Sequence, residues 1–329
     1  MALLPYHVPG LLFAVLEWGV AVALLALNPR HRGSRAFALL VTLRGMTTSL
    51  VMLGGQGVPP VLDDPAQVEL ARRLFPYAAM SLFPATLYFL AVYLRAPGGA
   101  RRAGWLAPLA LALAGAQEAL YLLDHSLWFG AGTAAVPVGP LTALVPLNRA
   151  GYVVAAILFL REARRAPAGP RRSAFLAMSA GFGIFPLVGL LAFGAFGVVA
   201  GRPPAFLAAY AVAAGLAAGL LARLARSALA DADAGLRRAA RRYLVALALF
   251  AATLLPVAGL PPGTDRETTL TLLSGLWLLP QPLLCAYALL RHQLFDIDLK
   301  VKWTIKQSTV AGMFIGVFFI VSEGAQQVF

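Results

Sequence analysis

Apolar runs of about 20 residues recur along this chain, and at 1.5 Å per residue each suffices for a helix about 30 Å long. They lie near 8–27, 36–56, 74–94, 105–123, 141–160, 173–200, 205–224, 243–260 and 268–290, and a tenth begins near 307. In lipid every backbone N–H and C=O must be paired within the protein, so runs of this length predict helices rather than open sheet. Composition agrees, because 60% of residues are hydrophobic and 12% charged, about half the charged share of a soluble domain. The expected fold is an all-α, polytopic integral membrane helix bundle in a cell membrane, with nine complete transmembrane helices and a tenth at the C-terminus. It divides into a bundle over 1–290, an amphipathic connector over 291–306 and the tenth run over 307–329.

The formal net charge is +13, yet this does not point to nucleic acid. The basic residues occupy short connections between apolar runs instead of forming one solvated face. Of the 27 Lys and Arg, 22 collect on one side, in alternate connections or in the adjoining parts of the runs, at 30–44, 95–102, 161–172, 223–242 and 291–306; the rest are Arg72, Arg73, Arg149, Arg202 and Arg266. Basic residues collect on the cytoplasmic side, which sets the N-terminus outside and the connector inside. Residues 1–10 lack the basic start of a secretory leader, so the first run is expected to remain a membrane helix.

Ionised side chains inside apolar runs are costly unless paired or hydrated, which makes Glu17, Arg44, Glu118, Arg149 and Glu323 the ligand or ion-pair candidates. Depth arithmetic couples four of them. Glu17 and Arg44 lie about 15 and 12 Å from the same face, and Glu118 and Arg149 about 20 and 18 Å. The first pair reads as a structural ion lock. The second is open between a lock and a polar site, since Gln117 and Tyr121 add polarity beside it. Pro84, Pro186 and Pro256 are interior kink candidates, and Pro186 is able to break the long run 173–200. Gly215 with Gly219 and Gly312 with Gly316 have the small-xxx-small spacing of closely packed membrane helices.

No catalytic or cofactor motif stands out, and none of the four histidines has a second ligand at metal spacing, so no cofactor and no metal are expected. Cys285 is the lone cysteine and forms no internal disulfide. Asp231-Ala232-Asp233 and Asp296-Ile297-Asp298 are the one enzyme-like suggestion, as oxygen donors for a divalent cation on a phosphorylated lipid. Doublets this short arise readily by chance. The connection 225–242 reads as a helical extension broken near Gly235, with its arginines toward anionic lipid.

The connector alternates without a slip, with Phe295, Ile297, Leu299, Val301, Trp303 and Ile305 apolar, and Asp296, Asp298, Lys300, Lys302, Thr304 and Lys306 polar. Period 2 is a strand signal, and antiparallel self-pairing about Leu299 would set Asp296 against Lys302 and Asp298 against Lys300. Phe295, Leu299 and Trp303 also recur every four residues, so an interfacial helix competes with the strand. Arg291, Phe295, Asp296, Asp298, Lys300, Lys302 and Trp303 are the coupling candidates on the cytoplasmic side.

Tyr287, Arg291 and Leu294 followed by Phe295-Asp296-Ile297-Asp298 form a Tyr-x-x-x-Arg-x-x-Leu-Phe-Asp-Ile-Asp sequence. It resembles the junction that ends the N-terminal membrane region of sensor histidine kinases, and the likeness covers 287–326. The resemblance implies a region that senses a signal and passes it inward. The chain departs from that family in carrying more expected spans. It also has no phosphoacceptor helix and no ATP-binding domain, so kinase activity is not expected of these 329 residues. The expected function is a sensor-like or receptor-like membrane module. Its expected partners are the lipid bilayer and a second copy or another membrane-complex subunit. A small-molecule or ion transporter using Glu17, Glu118 and Arg149 is the alternative. The final run turns polar at Ser322, Glu323, Gln326 and Gln327, which reads as the lining of a wet cavity or as part of a longer chain.

Overall fold

The computed structural model describes residues 8–27, 29–30, 32–54, 60–94, 105–123, 146–195, 204–252 and 284, and among these described residues eight α-helices follow the first eight apolar runs. They are α1 (Val8–Leu27), α2 (Arg32–Gly54), α3 (Pro65–Leu94), α4 (Leu106–Leu123), α5 (Pro146–Arg165), α6 (Pro170–Ala195), α7 (Pro204–Ala230) and α8 (Ala234–Ala252). The described residues contain no strand. Among the described residues three helical segments are long and apolar enough to cross a membrane, namely Arg32–Gly54, Pro65–Val92 and Pro204–Ala230. The ninth run apart from Leu284, the tenth run and the alternating connector lie outside the described residues.

Helix starts follow local chemistry. Four helices open on proline, at Pro65, Pro146, Pro170 and Pro204. The first helical position suits proline because its missing N–H has no intrahelical partner there. At α3 the preceding Asp64 completes the cap, its Oδ1 accepting from Ala66 N at 2.9 Å and its carbonyl from Val68 N at 3.0 Å. This cap lets α3 begin at Pro65, ahead of the apolar run expected from 74. The prolines inside helices do not break them: α3 continues through Pro76 and Pro84, and α6 through Pro186. Pro186, a candidate to break its run, leaves α6 one helix from Pro170 to Ala195.

The helices fall into two units, α1 to α4 and α5 to α8. In the first, successive helices pack side by side, with α2 between α1 and α3 and α4 against α3. Phe37 on α2 meets Phe89 on α3 with ring centroids 5.3 Å apart, an edge-tilted geometry that suits two aromatic quadrupoles. Leu50, Ala71 and Ala78 form a further α2–α3 cluster backed by Leu53, Leu74 and Phe75. Arg72 Nε donates to Gly54 O at 2.6 Å, satisfying a carbonyl that the end of α2 leaves without a helical donor.

In the second unit, α5 packs on α6 and α7, and α8 on α7 and α6. Its centre is an aromatic chain in which Phe182 lies 5.7 Å from both Tyr152 and Phe159. Polar bonds tie the same helices at the backbone. Ser179 Oγ donates to Ala156 O at 2.8 Å, and Tyr243 Oη lies 2.8 Å from both Ser179 O and Ala180 O. α6 thus donates to a carbonyl of α5 on one side and accepts from α8 on the other.

Candidate functional site

The charged centre of the first unit is built on α1 and α2, which run antiparallel. Arg44 Nε lies 2.7 Å from Glu17 Oε1, and the two side chains are 8% and 1% exposed. At that distance the contact is a close ion pair. Thr48, one helical turn after Arg44, donates its hydroxyl to Glu17 Oε2 at 3.2 Å. The guanidinium also sits 5.0 Å from the Phe13 ring centroid, where the π face favours a cation. One carboxylate therefore meets a guanidinium and a hydroxyl from a single face of α2.

Close backbone approach makes this possible. Gly45 lies under the Trp18 indole, whose Nε1 would be 3.1 Å from a β-carbon at that position. A larger residue would push α1 away and lengthen the ion contact. Ser49 Oγ donates to Gly45 O at 2.7 Å, keeping its own proton inside α2, as Thr47 does toward Leu43 O at 2.8 Å. The arrangement is close to charge-neutral and sealed from solvent. Chemically it is a lock that sets the register of α1 on α2.

A second polar contact fastens α4 to α3. The buried Gln117 side-chain amide donates to Tyr77 O and to Ser81 Oγ, while Ser81 Oγ donates to Tyr77 O at 2.8 Å. Glu118, the next residue, lies on α4 in the first unit, but its side chain is outside the described residues. Arg149 occupies the first turn of α5 in the second unit. The expected Glu118–Arg149 bridge thus falls outside the described residues, as do Glu323 and the coupling candidates Arg291, Phe295, Asp296, Asp298, Lys300, Lys302 and Trp303.

The basic end of the second unit holds a network that joins its four described helices. Arg164 at the end of α5 contacts Ser227 on α7 and lies 3.8 Å from Asp231 Oδ2. Arg172 on α6 pairs with Asp233, and Arg241 Nε on α8 donates to Ala228 O on α7 at 3.1 Å. Asp233 Oδ1 accepts from Gly235 N at 2.7 Å and Leu236 N at 3.0 Å, which makes Asp233 the N-cap of α8. The backbone N–H of Leu236 above all, helped by Arg172 and Gly235 N, holds the Asp233 carboxyl below its ordinary range. Asp231 Oδ1 accepts from Asp233 N at 3.1 Å. Both carboxylates of this doublet are spent on capping and ion pairing, and no group of three or more His, Cys, Asp or Glu fit for a metal occurs among the described residues.

Sequence reading placed Glu17 and Arg44 together but missed Thr48, whose signal was its spacing of four residues from Arg44 on the same helical face. For the Asp231–Asp233 doublet it weighed only a minor metal-type suggestion against chance, although an Asp immediately before a helical stretch is a cap signal. The chain break expected near Gly235 falls slightly earlier, between Ala230 and Ala234. No protein-family model matches this chain, and neither does any curated protein or any solved structure.

Proposed function

We propose that this chain is a multi-pass integral membrane module of sensor-like or receptor-like type. In this reading nine spans and a tenth cross the bilayer, the N-terminus is outside, and the 291–306 connector carries the output on the cytoplasmic side. The observation that carries the reading is the inside-out character of α1. Glu17 is 0% exposed while Val15, Trp18, Val22 and Leu25 on the same helix are 40% to 64% exposed. In water that arrangement would bury a charge and wet the apolar groups, losing on both counts. In lipid it is favourable, because apolar faces need no cover and charges turn inward to pair. Helix α7 supports the same conclusion, with only 22% of its apolar window buried.

The sealed Glu17–Arg44 pair favours a sensory over a transport role, since a permeation site must be reached by water or substrate. Apolar burial does not drive helix association inside lipid, so packing and polar contacts such as this lock would define the resting arrangement. The resemblance of 287–298 to a sensor-kinase junction supplies the direction of coupling, from bundle to connector.

Two measurements on the full chain test the reading. With Cys285→Ala as background, cysteines at Asp64 and Leu299 are labelled by a membrane-impermeant maleimide in sealed cells. Asp64→Cys should react from outside and Leu299→Cys only after permeabilisation; labelling of both from one side overturns the topology. In liposomes the protein should conduct no more protons or potassium ions than protein-free vesicles. A saturable flux abolished by Glu17→Gln would replace the sensor reading with transport.

A further inference from the structure

We propose that the cavity at the basic end of the second unit binds a phosphate dianion, supplied either as the phosphoryl group of an anionic lipid or as free phosphate. The cavity has a volume of about 600 Å³ and opens between the α5–α6 turn at Gly169, the first turns of α6 at Arg172 and Ser173, and the start of α8 at Asp233, Arg238 and Arg242. That is an ordinary size for a small-ligand site.

Charge selects the ligand. Three guanidinium groups line the cavity against one carboxylate, and that carboxylate is occupied, with Oδ1 on the α8 amides and Oδ2 on Arg172. Arg238 spends its Nε on Ala234 O at 3.3 Å, which leaves its terminal nitrogens for a ligand. Arg242 lies four residues further along the same face of α8 and makes no hydrogen bond or ion pair among the described residues. Like charges at this spacing repel, and an anion held between them turns the repulsion into attraction.

Arg172 borders the same cavity from α6, its side chain 13% exposed and held by Asp233. Ser173 adds a hydroxyl donor beside the positive end of the α6 dipole. Guanidinium groups arriving from two helices suit a tetrahedral, multiply charged oxyanion, because each offers a planar fork of N–H groups. The same charges repel a divalent cation.

The inference rests on the chemistry of the cavity; only the lipid source depends on the membrane reading. The test titrates purified full-length protein in detergent with inorganic phosphate, against sodium chloride of equal ionic strength, reading thermal stability and bound phosphate. A second arm measures binding of the protein in nanodiscs made with phosphatidic acid or with phosphatidylcholine alone. Saturable stabilisation by phosphate, or a preference for phosphatidic acid, is expected. It should weaken by roughly tenfold or more in Arg238→Gln/Arg242→Gln, on the scale of losing a charge-assisted hydrogen bond. Far-UV circular dichroism and phosphate-free melting show that this variant still folds, and Arg238→Lys/Arg242→Lys should retain partial binding. Response to phosphatidic acid alone assigns the site to a lipid headgroup, and response to inorganic phosphate in detergent assigns it to free phosphate. Absence of saturable binding in both arms, or undiminished binding in the double Gln variant, overturns the proposal. Because the detergent arm needs no bilayer, its outcome is separate from the topology experiment.

Discussion

Tyr243 lays its hydroxyl over Gly183, in the space that a β-carbon at position 183 would need. The same hydroxyl reaches the carbonyls of Ser179 and Ala180, so one small residue decides how closely α8 approaches α6. The next neighbours of that missing β-carbon are Ala156 on α5 and Leu220 on α7, both at 3.3 Å. Four helices therefore meet at this glycine.

Gly183→Ala should destabilise the protein by about 1 to 3 kcal/mol, the usual cost of forcing a methyl into a filled interior. Tyr243→Phe should cost about 0.5 to 1.5 kcal/mol through its lost hydrogen bond. The double variant should be less destabilised than the sum, because removing the hydroxyl clears the space that alanine fills. Thermal unfolding of the four proteins in one detergent measures the coupling. Simple additivity would show that the close approach does not limit packing.

Breaking the Glu17–Arg44 pair from one side should cost about 3 to 5 kcal/mol, since an uncompensated charge stays buried. The two single variants are not equivalent. After Arg44→Met the carboxyl can be neutralised by a proton, whereas after Glu17→Gln the guanidinium cannot shed its charge. Glu17→Gln should be the more damaging, and Glu17→Leu/Arg44→Met should recover part of the loss. Chemical denaturation of the series reports the order.

Gly169 has φ of +153° and nothing within 4 Å of its missing β-carbon. Gly169→Ala should therefore destabilise through backbone strain alone, by about 1 to 3 kcal/mol. The following Pro170 restricts this residue further. A Gly169→Asn variant that is as damaging as alanine would agree with a conformation only glycine tolerates; melting temperatures of both decide it.

The Asp233 cap predicts an acid-side loss of stability. Its folded-state carboxyl titrates below the ordinary value of 3.8, so the unfolded chain binds the proton more readily. The contribution is complete above that ordinary value and disappears as pH falls through the lower folded value. Asp233→Asn keeps an acceptor for the α8 amides and should lose this pH dependence while retaining most of the helix start. Asp233→Ala should lose both. Unfolding of the three proteins between neutral and acid pH separates the cap from the ion pair with Arg172.

Much of this could be read from residue order because it is governed by local or one-dimensional constraints. A run of about 20 apolar residues must satisfy its own backbone, so each of the first eight runs carries a helix. Prolines 65, 146, 170 and 204 mark first helical turns for the same kind of local reason. Even the Glu17–Arg44 contact follows from counting residues along two consecutive helices.

The tertiary structure decided what depends on neighbours distant in sequence. Asp233 became a cap and a partner of Arg172 instead of half a metal pair, because the α7–α8 turn meets the start of α6. Pro84 and Pro186 left their helices unbroken, since packing against adjacent helices can hold a helix through the loss of one backbone bond. Thr48 joined the charged pair, Gly183 made room for Tyr243, and Arg172, Arg238 and Arg242 came to line one cavity. Periodicity tells which face a residue occupies on its own helix, but only packing determines what stands opposite it.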